Sequence, residues 1–298
     1  MIPHDEEEEV RMDLQHHLWG LVLDGGLFRS PIGEEPEKIL DVGTGTGLWA
    51  IEVAEYVFCP SLFFPSRATT KKKKKKKTNR RFPKAHVIGT DIAPSRLTWA
   101  PPNLDMQLED VEDDWVFSSN TLDLVHVRSM AGFVSDWPRL LRQSFATLKP
   151  GGYFEFHDFS SPFECDDGSC AEDNVLKRWV RDWEAGAALC GKKWIAVAPE
   201  MKDMLAAAGF RDVRKEEHKV RASGRLREEG KWRELGRCMQ KLTLDGAEGI
   251  TLDMFIRVLG WEKKDVEEFV KKIKQEVLNP DINTYTKCHI IYARKPLR

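Results

Sequence analysis

The segment Lys38-Ile39-Leu40-Asp41-Val42-Gly43-Thr44-Gly45-Thr46-Gly47 decides the fold of this chain. It begins with a short, mostly apolar run that is typical of a buried strand, and residues 48–56 continue as a helical pattern. Glycines placed between a strand and a helix allow backbone N–H groups to approach a ligand closely. The segment therefore predicts a ligand-binding loop within an alternating α/β fold.

The spacing of the glycines distinguishes between two classes of ligand. A dinucleotide loop, G-x-G-x-x-G, would need a glycine at position 48, where this chain has Leu48. The pattern G-x-G-x-G, with an acid two residues before the first glycine, resembles the first motif of class I methyltransferases. A carboxylate beside the loop opposes a pyrophosphate but suits the ammonium group of S-adenosylmethionine, which disfavours the alternative, an NAD-dependent oxidoreductase. We expect these loop residues to bind the cofactor S-adenosylmethionine: Asp41, Gly43, Thr44, Gly45 and Gly47.

Strands and helices alternate after the loop. The pattern predicts a helix over 137–148 and strands over 86–91, 106–110, 122–127 and 153–157. This alternation is typical of a parallel, doubly wound sheet. A sixth strand is predicted over 212–218. A final strand over 286–293, after a long helical excursion, suits an antiparallel addition at the sheet edge.

The rest of the chain divides around this core. Residues 1–30 are predicted to form an N-terminal lid helix whose apolar residues recur at helical spacing: Val10, Leu14, Leu18 and Leu21. The methyltransferase core is expected over 31–224 and 281–298, and 225–280 are expected to form a helical cap. Residues 57–81, which include seven consecutive lysines, are interpreted as an insertion, either a solvated basic loop or an intron retained in the gene.

Asp91, at the end of the second predicted strand, is a further indication of S-adenosylmethionine as the ligand. An acid there can accept hydrogen bonds from both ribose hydroxyls. Asp91 lies 44 residues beyond Gly47, whereas about 20 is expected. Without the 25 residues of 57–81 the separation is 19, which restores an ordinary strand–helix–strand unit. Asp91 and its neighbour Ile92 are therefore predicted cofactor residues.

Two further strand ends carry candidate cofactor residues. Asp110, with Val111 beside it, follows the third predicted strand and is placed to receive the adenine amino group. Its alternative role is to cap the following turn. Arg128 ends the fourth predicted strand, which Asp123 opens, and ligands of open α/β sheets lie at the carboxyl ends of the strands.

Several motifs together resemble the fungal LaeA-like methyltransferases of secondary metabolism (the TAM/UMTA type). They are Leu14-Gln15-His16-His17, the stretch 39–50, Val87 to Asp91, Trp137 to Gln143, Leu148 to Glu155, and the later Asp166-Asp167-Gly168 and Val258-Leu259-Gly260-Trp261. The resemblance covers nearly the whole chain, although that family lacks the insertion 57–81. It implies a Rossmann-like class I fold with seven strands, the last antiparallel, and S-adenosylmethionine across the carboxyl edge. It also implies that the helix bearing Gln15 and His16 covers the site.

Methyl transfer needs a general base only when the acceptor must lose a proton. His157, at the end of the fifth predicted strand, and His16, on the lid, are the candidate catalytic residues. His126 is a weaker candidate because it lies inside a buried strand. Glu155 and Asp158 flank His157 and either orient it or bind backbone. We expect the following tryptophans to lie in the core, with one or two lining an acceptor pocket: Trp179, Trp183, Trp194, Trp232 and Trp261.

Composition limits the partners of this chain. A net charge of −2 gives no attraction to nucleic acid, which is therefore not an expected partner. Six scattered cysteines indicate neither a disulfide framework nor a metal site, and no apolar run approaches the ~20 residues of a membrane span. We expect a cytoplasmic protein, with the nucleus as the alternative because of the lysine run. Its partner is expected to be a small-molecule acceptor, or a protein if the chain acts as a LaeA-like regulator.

Overall fold

The computed structural model describes residues 5–55, 82, 84–159, 162–224 and 229–298. The predicted insertion 57–81 lies outside these residues. The strands are β1 Lys38–Val42, β2 His86–Asp91, β3 Leu104–Leu108, β4 Leu122–Arg128, β5 Leu148–Asp158, β6 Arg211–Arg221 and β7 Tyr285–Arg294. The helices are α1 Glu6–Val22, α2 Leu48–Ala54, α3 Trp137–Thr147, α4 Val175–Leu189, α5 Val197–Ala207, α6 Lys231–Asp253 and α7 Lys263–Leu278, and a π-helical turn, Met254–Val258, continues α6.

The strands form one sheet in the order β3-β2-β1-β4-β5-β7-β6. The pairs from β3 to β5 are parallel, whereas β7 is antiparallel to both β5 and β6. The predicted seven-stranded, mostly parallel Rossmann-like sheet with an antiparallel last strand is thereby confirmed.

The predicted edge position of the last strand is wrong, because β7 lies between β5 and β6. Ile290, Ile291 and Cys288 of β7 are fully buried, as expected for a strand covered on both faces. β6 forms the edge instead. Its exposed charged residues, which include Lys215 and Lys219, suit a strand with one unpaired side.

Apolar clusters cover both faces of the sheet. One joins α3 and α5 to β4 and β5, and another joins α2 to β1 and β2. A third cluster contains buried residues of α1, α4, α6 and α7 together with Ile290 of β7. The helices predicted as a cap therefore share their core with α1 and α4. The domain boundaries drawn from the sequence stay a prediction.

Helix α1 is apolar on its buried side only in its second half. Leu18 is fully buried, and Leu14 and Leu21 pack against the cluster that α1 shares with α4, α6 and α7. Val10 is 58% exposed, so its predicted place on the apolar stripe is wrong. The first turns instead bury Glu8, which forms an ion pair with Arg11 at 2.6 Å. This half of the helix faces a polar loop and not the apolar core.

Candidate functional site

The predicted glycine loop connects β1 to α2. Gly43 and Gly45 have φ values of +67° and +57°, a conformation that residues with a Cβ rarely adopt. A Cβ atom on Gly43 would lie 2.2 Å from Sδ of Met130, and one on Gly45 would lie 3.1 Å from Sδ of Met12. The loop is therefore a tight turn held between two methionine side chains. The left-handed backbone at Gly43 favours glycine, and a Cβ atom there would displace the Met130 side chain.

Asp91 fastens this loop to the end of β2. Its Oδ2 accepts a hydrogen bond from the Gly45 N–H at 2.8 Å, and its Oδ1 accepts one from the Ala93 N–H at 3.0 Å. The structure thus brings together two residues that are 46 positions apart in the chain. They meet because β1 and β2 pair in parallel, which places the carboxyl ends of both strands at the same edge.

A cavity of about 270 Å³ opens beside this contact. Its lining residues come from the glycine loop, from the segment after β2 and from β3: Gly45, Asp91, Ala93, Pro94, Ser95, Met106, Gln107 and Leu108. Ile92, Asp110 and Val111 lie outside this lining, and Ile92 is 67% exposed. Asp110 accepts a hydrogen bond from the Glu112 N–H at 2.9 Å. This contact caps the following turn, which is the alternative role given to Asp110 above.

Asp41 lies fully buried beneath the loop. Its Oδ2 accepts a hydrogen bond from the Thr44 hydroxyl at 2.6 Å, and its Oδ1 lies 2.7 Å from Nδ1 of His126. Burial raises the pKa of the Asp41 carboxyl to about 6, against the opposing effects of the Thr44 hydrogen bond and the nearby Arg128. Asp41 therefore supports the loop from below, and its ionised form is destabilised where it lies.

Replacing Asp41 by asparagine is expected to stabilise the ligand-free chain at neutral pH. The folded-state pKa of Asp41 is raised from 3.8 to about 6. Between these pH values the native state holds a proton that the unfolded state has lost, so the free energy of unfolding falls as the pH rises through them. Asp41→Asn removes this loss, which amounts to at most about 3 kcal/mol. Denaturant unfolding at pH 5 and pH 8 measures it, with the exposed Asp173→Asn as control. An unchanged pH dependence in Asp41→Asn would contradict the assignment.

Arg128 and His16 connect the carboxyl end of β4 to helix α1. Nη2 of Arg128 lies 3.0 Å from Nδ1 of His16, and Nε2 of His16 lies 3.5 Å from Glu52. Burial lowers the pKa of Arg128 to about 10, and burial also lowers the pKa of His16. A neutral His16 ring can accept a hydrogen bond from the guanidinium.

Helix α1 contacts the glycine loop, and its role as a lid stays a prediction. Met12 packs on Gly45, Asp13 forms a side-chain hydrogen bond with Thr46, and Glu9 lies 3.2 Å from Arg96. Sequence reasoning missed Met12 and Met130 as loop contacts. The spacing of Met12 and His16 was an available signal for Met12, since residues four apart share one face of a helix.

His157 lies in the protein interior. Its Nε2 is 2.7 Å from Oε1 of Glu155, its Nδ1 is 3.4 Å from Nε2 of His126, and the ring is fully buried. Glu155 also accepts hydrogen bonds from backbone N–H groups, and Asp158 accepts one from the Ala131 N–H at 2.9 Å. A general base needs a nitrogen that faces the acceptor, so this geometry favours a supporting role for His157. Its base function and that of His16 stay predictions.

The predicted core tryptophans divide into two groups. Trp179 and Trp183 are buried, and Trp194 and Trp261 pack against the cluster shared by α1, α4, α6 and α7. Trp232 is 43% exposed, so the prediction of a core position is wrong for this residue. It lies in the first turn of α6, where a side chain next to the helix start can remain at the surface.

Neither metal ligands nor a membrane-spanning helix are found in the described part of the chain. No group of three or more His, Cys, Asp or Glu side chains there is arranged to hold a metal ion. None of the helices in the described ranges combines the length and apolarity needed to cross a membrane.

Comparison with known proteins identifies the family. Residues 14–215 match the family described as a methyltransferase domain. The chain is 30% identical to methyltransferase pytC of Aspergillus terreus, with 99% of this chain and 82% of the relative covered. It is 30% identical to the secondary metabolism regulator LAE1 of Cochliobolus heterostrophus, with 99% and 90% covered. It is 28% identical to the protein-methionine methyltransferase laeA of Emericella nidulans, with 100% and 72% covered.

These matches confirm the predicted class of enzyme and its predicted resemblance to LaeA-like proteins. The matched residues run from α1 through the sheet to β6, and so include the glycine loop, Asp91 and the residues that line the cavity between them. The chain belongs to the methyltransferase domain family, and S-adenosylmethionine is its cofactor.

Proposed function

We propose that this chain transfers a methyl group from S-adenosylmethionine to a small-molecule metabolite of fungal secondary metabolism. The cavity bounded by Gly45 and Asp91 carries the proposal, because it lies where the glycine loop meets the carboxyl end of β2. Ligands of open α/β sheets lie at this edge. The left-handed glycines and the methionines packed on them leave backbone, and not side chains, facing the ligand.

Each part of the cofactor has a candidate partner in this arrangement. Asp91 would accept hydrogen bonds from the ribose hydroxyls, and the half-buried Arg128 would bind the carboxylate, since a guanidinium carries five donors and the contact with His16 engages one. Asp41 would balance the ammonium group. The remaining predicted residues complete the set at the loop and at the adenine end: Gly43, Thr44, Gly45, Gly47, Ile92, Asp110 and Val111.

The protein's contribution to the reaction is alignment and exclusion of water. The bound cofactor supplies a methyl group on a carbon that is already activated by a sulfonium, so displacement needs an aligned acceptor more than it needs strong acid–base chemistry. Helix α1 covers the loop and shields this region from solvent. For a phenol or alcohol acceptor, His16 is the candidate base, because it lies on α1 next to Arg128 at the site.

The acceptor is proposed to approach from the side of the loop that follows β4. A Cβ atom on Gly132 would lie 2.8 Å from the Trp183 ring and 3.6 Å from Trp194, so aromatic rings border this loop near Met130. The alternative is a LaeA-like regulator that acts through protein partners. The name of the LAE1 relative favours a regulator, and that of the Emericella nidulans relative favours a protein as acceptor. We propose a cytoplasmic location, with the nucleus as the alternative, and expect no nucleic-acid partner at a net charge of −2.

Two measurements test the two halves of this function. Calorimetric titration is expected to show binding of S-adenosylhomocysteine and none of NAD; the reverse result would contradict the proposal. The protein is then incubated with S-adenosylmethionine labelled in its methyl group and with extract from a strain that lacks the gene. We expect the label in a small-molecule fraction, whereas label confined to protein would favour the regulator.

A further inference from the structure

Four buried polar side chains form a continuous chain beneath the glycine loop, which we call the relay: Asp41, His126, His157 and Glu155. Oδ1 of Asp41 lies 2.7 Å from Nδ1 of His126, and Nε2 of His126 lies 3.4 Å from Nδ1 of His157. Nε2 of His157 lies 2.7 Å from Oε1 of Glu155. All four residues have at most 3% of their surface exposed. Buried polar groups in such a series stabilise the protein only when every one of them is satisfied.

The relay joins two functional parts of the molecule. At one end Asp41 accepts the hydroxyl hydrogen bond of Thr44 in the cofactor loop. At the other end Glu155 accepts backbone N–H bonds from Arg29 at 2.6 Å and Ser30 at 2.7 Å, in the segment that connects α1 to β1. Adjacent strands β1, β4 and β5 carry the members of the relay, with Asp41 in register with His126 and His126 with Glu155.

Aromatic rings enclose the two histidines. The Trp49 ring stacks on His126 with centroids 3.8 Å apart and planes within 2°, and Trp19 of α1 stacks on His157 at 5.2 Å. These rings and the burial of both histidines keep solvent away from the imidazoles. Arg128 and His16 are the other titratable groups that face Asp41.

Three hydrogen bonds in the relay need three protons, and two arrangements supply them. In the first, Asp41 is protonated and donates to Nδ1 of His126, whose Nε2–H donates to His157. In the second, Asp41 is ionised, His126 carries its proton on Nδ1, and His157 is protonated on both nitrogens. In both, Nε2–H of His157 donates to the Glu155 carboxylate. The two arrangements have the same number of protons and the same net charge.

We propose that cofactor binding selects the second arrangement, so that His126, His157 and Glu155 act as positioning residues that hold Asp41 ionised. The proton on Asp41 passes to Nδ1 of His126, while the proton on Nε2 of His126 passes to Nδ1 of His157. The resulting imidazolium is balanced by Glu155. This proposal rests on the proposed function, because it takes the ammonium of S-adenosylmethionine as the charge that favours an ionised Asp41.

The pKa shifts of the two carboxyl groups support proton transfer from Asp41 toward His157. The pKa of Glu155 is lowered overall: burial raises it, but hydrogen bonds from His157, Ser30 and the Arg29 backbone outweigh that effect. Burial raises the pKa of Asp41 and lowers that of His126. Below a pH of about 6 the free chain therefore keeps Asp41 protonated, and a positive ligand group at the loop end favours passage of that proton along the relay.

The first test uses the full-length native chain with ¹⁵N-labelled histidine at pH 5, below the pKa of Asp41, because NMR shifts distinguish protonated from unprotonated ring nitrogens. Addition of S-adenosylhomocysteine, which keeps the ammonium group, is expected to convert His157 to the doubly protonated form and to leave His126 with its proton on Nδ1. Signals are assigned with His126→Gln and His157→Gln. Ligand binding with no change in either ring would overturn the relay and leave the proposed function standing. No binding at all would overturn both.

The second test uses Glu155→Gln, in which no carboxylate balances an imidazolium. We expect its dissociation constant for S-adenosylhomocysteine to rise roughly tenfold, the loss of one charge-assisted hydrogen bond. Asp123→Asn is the matched control, because Asp123 also accepts two consecutive N–H groups, of Glu37 and Lys38, but lies at the opposite end of the strands. Equal affinities of the two variants would overturn the relay, and if Glu155→Gln does not fold, the NMR result decides.

Discussion

Replacement of Gly43 by alanine is expected to weaken binding of S-adenosylhomocysteine strongly and, with it, to slow methyl transfer. Gly43 adopts φ +67°, a left-handed conformation that costs a residue with a Cβ roughly 1–2 kcal/mol. The added Cβ would also lie 2.2 Å from Sδ and 2.9 Å from Cε of Met130, and overpacking of this kind costs typically 1–3 kcal/mol. The two effects together predict a loss of affinity of about 100-fold or more, which calorimetry measures.

Two further variants separate space from conformation. Gly43→Ala combined with Met130→Ala removes the atoms that the Cβ would meet, so it should recover part of the affinity while the conformational cost remains. Gly191→Ala is the matched control, because Gly191 has φ +70° but an added Cβ there would meet no atom within 4 Å, and it lies outside the site. If Gly43→Ala bound the ligand as tightly as the native chain, the loop would not be the cofactor cradle.

Replacement of Asp91 by alanine is expected to weaken cofactor binding by about 1–3 kcal/mol, or roughly 5- to 150-fold, because two charge-assisted hydrogen bonds to the ribose are lost. The structure adds a second cost. Asp91 also accepts N–H bonds from Gly45 and Ala93, so its removal frees the loop that forms the cavity wall. The upper part of the range is therefore expected in a titration with S-adenosylhomocysteine.

A conservative variant distinguishes these two contributions. Asp91→Asn retains one carbonyl oxygen and should lie between the native chain and Asp91→Ala. Asp203→Ala, which removes an exposed acid on α5, serves as control and should leave affinity unchanged. An affinity of Asp91→Ala equal to that of the control would refute the ribose function of Asp91.

Much of the site was predictable because its signals are local. The loop is marked by glycine at every second position. The strand before it and the helix after it are recognised by apolar periodicity over a few residues. The separation of Asp91 from the loop became interpretable once the biased composition of 57–81 marked an insertion. Side-chain contacts across the molecule gave no such signal. Val10, for example, fits a helical stripe but faces away from the core.

The sequence by itself determined the class of fold, the position of the ligand loop and the identity of the ligand, since these depend on backbone conformation and on short spacings. Only the tertiary structure decided the place of β7 inside the sheet, the packing of Met130 and Met12 on the loop glycines, and the burial of Asp41 against His126, 85 residues away. These features depend on strand register and on which side chains meet when the layers pack. A change in register by one residue would turn His126 to the other face of the sheet and break the relay.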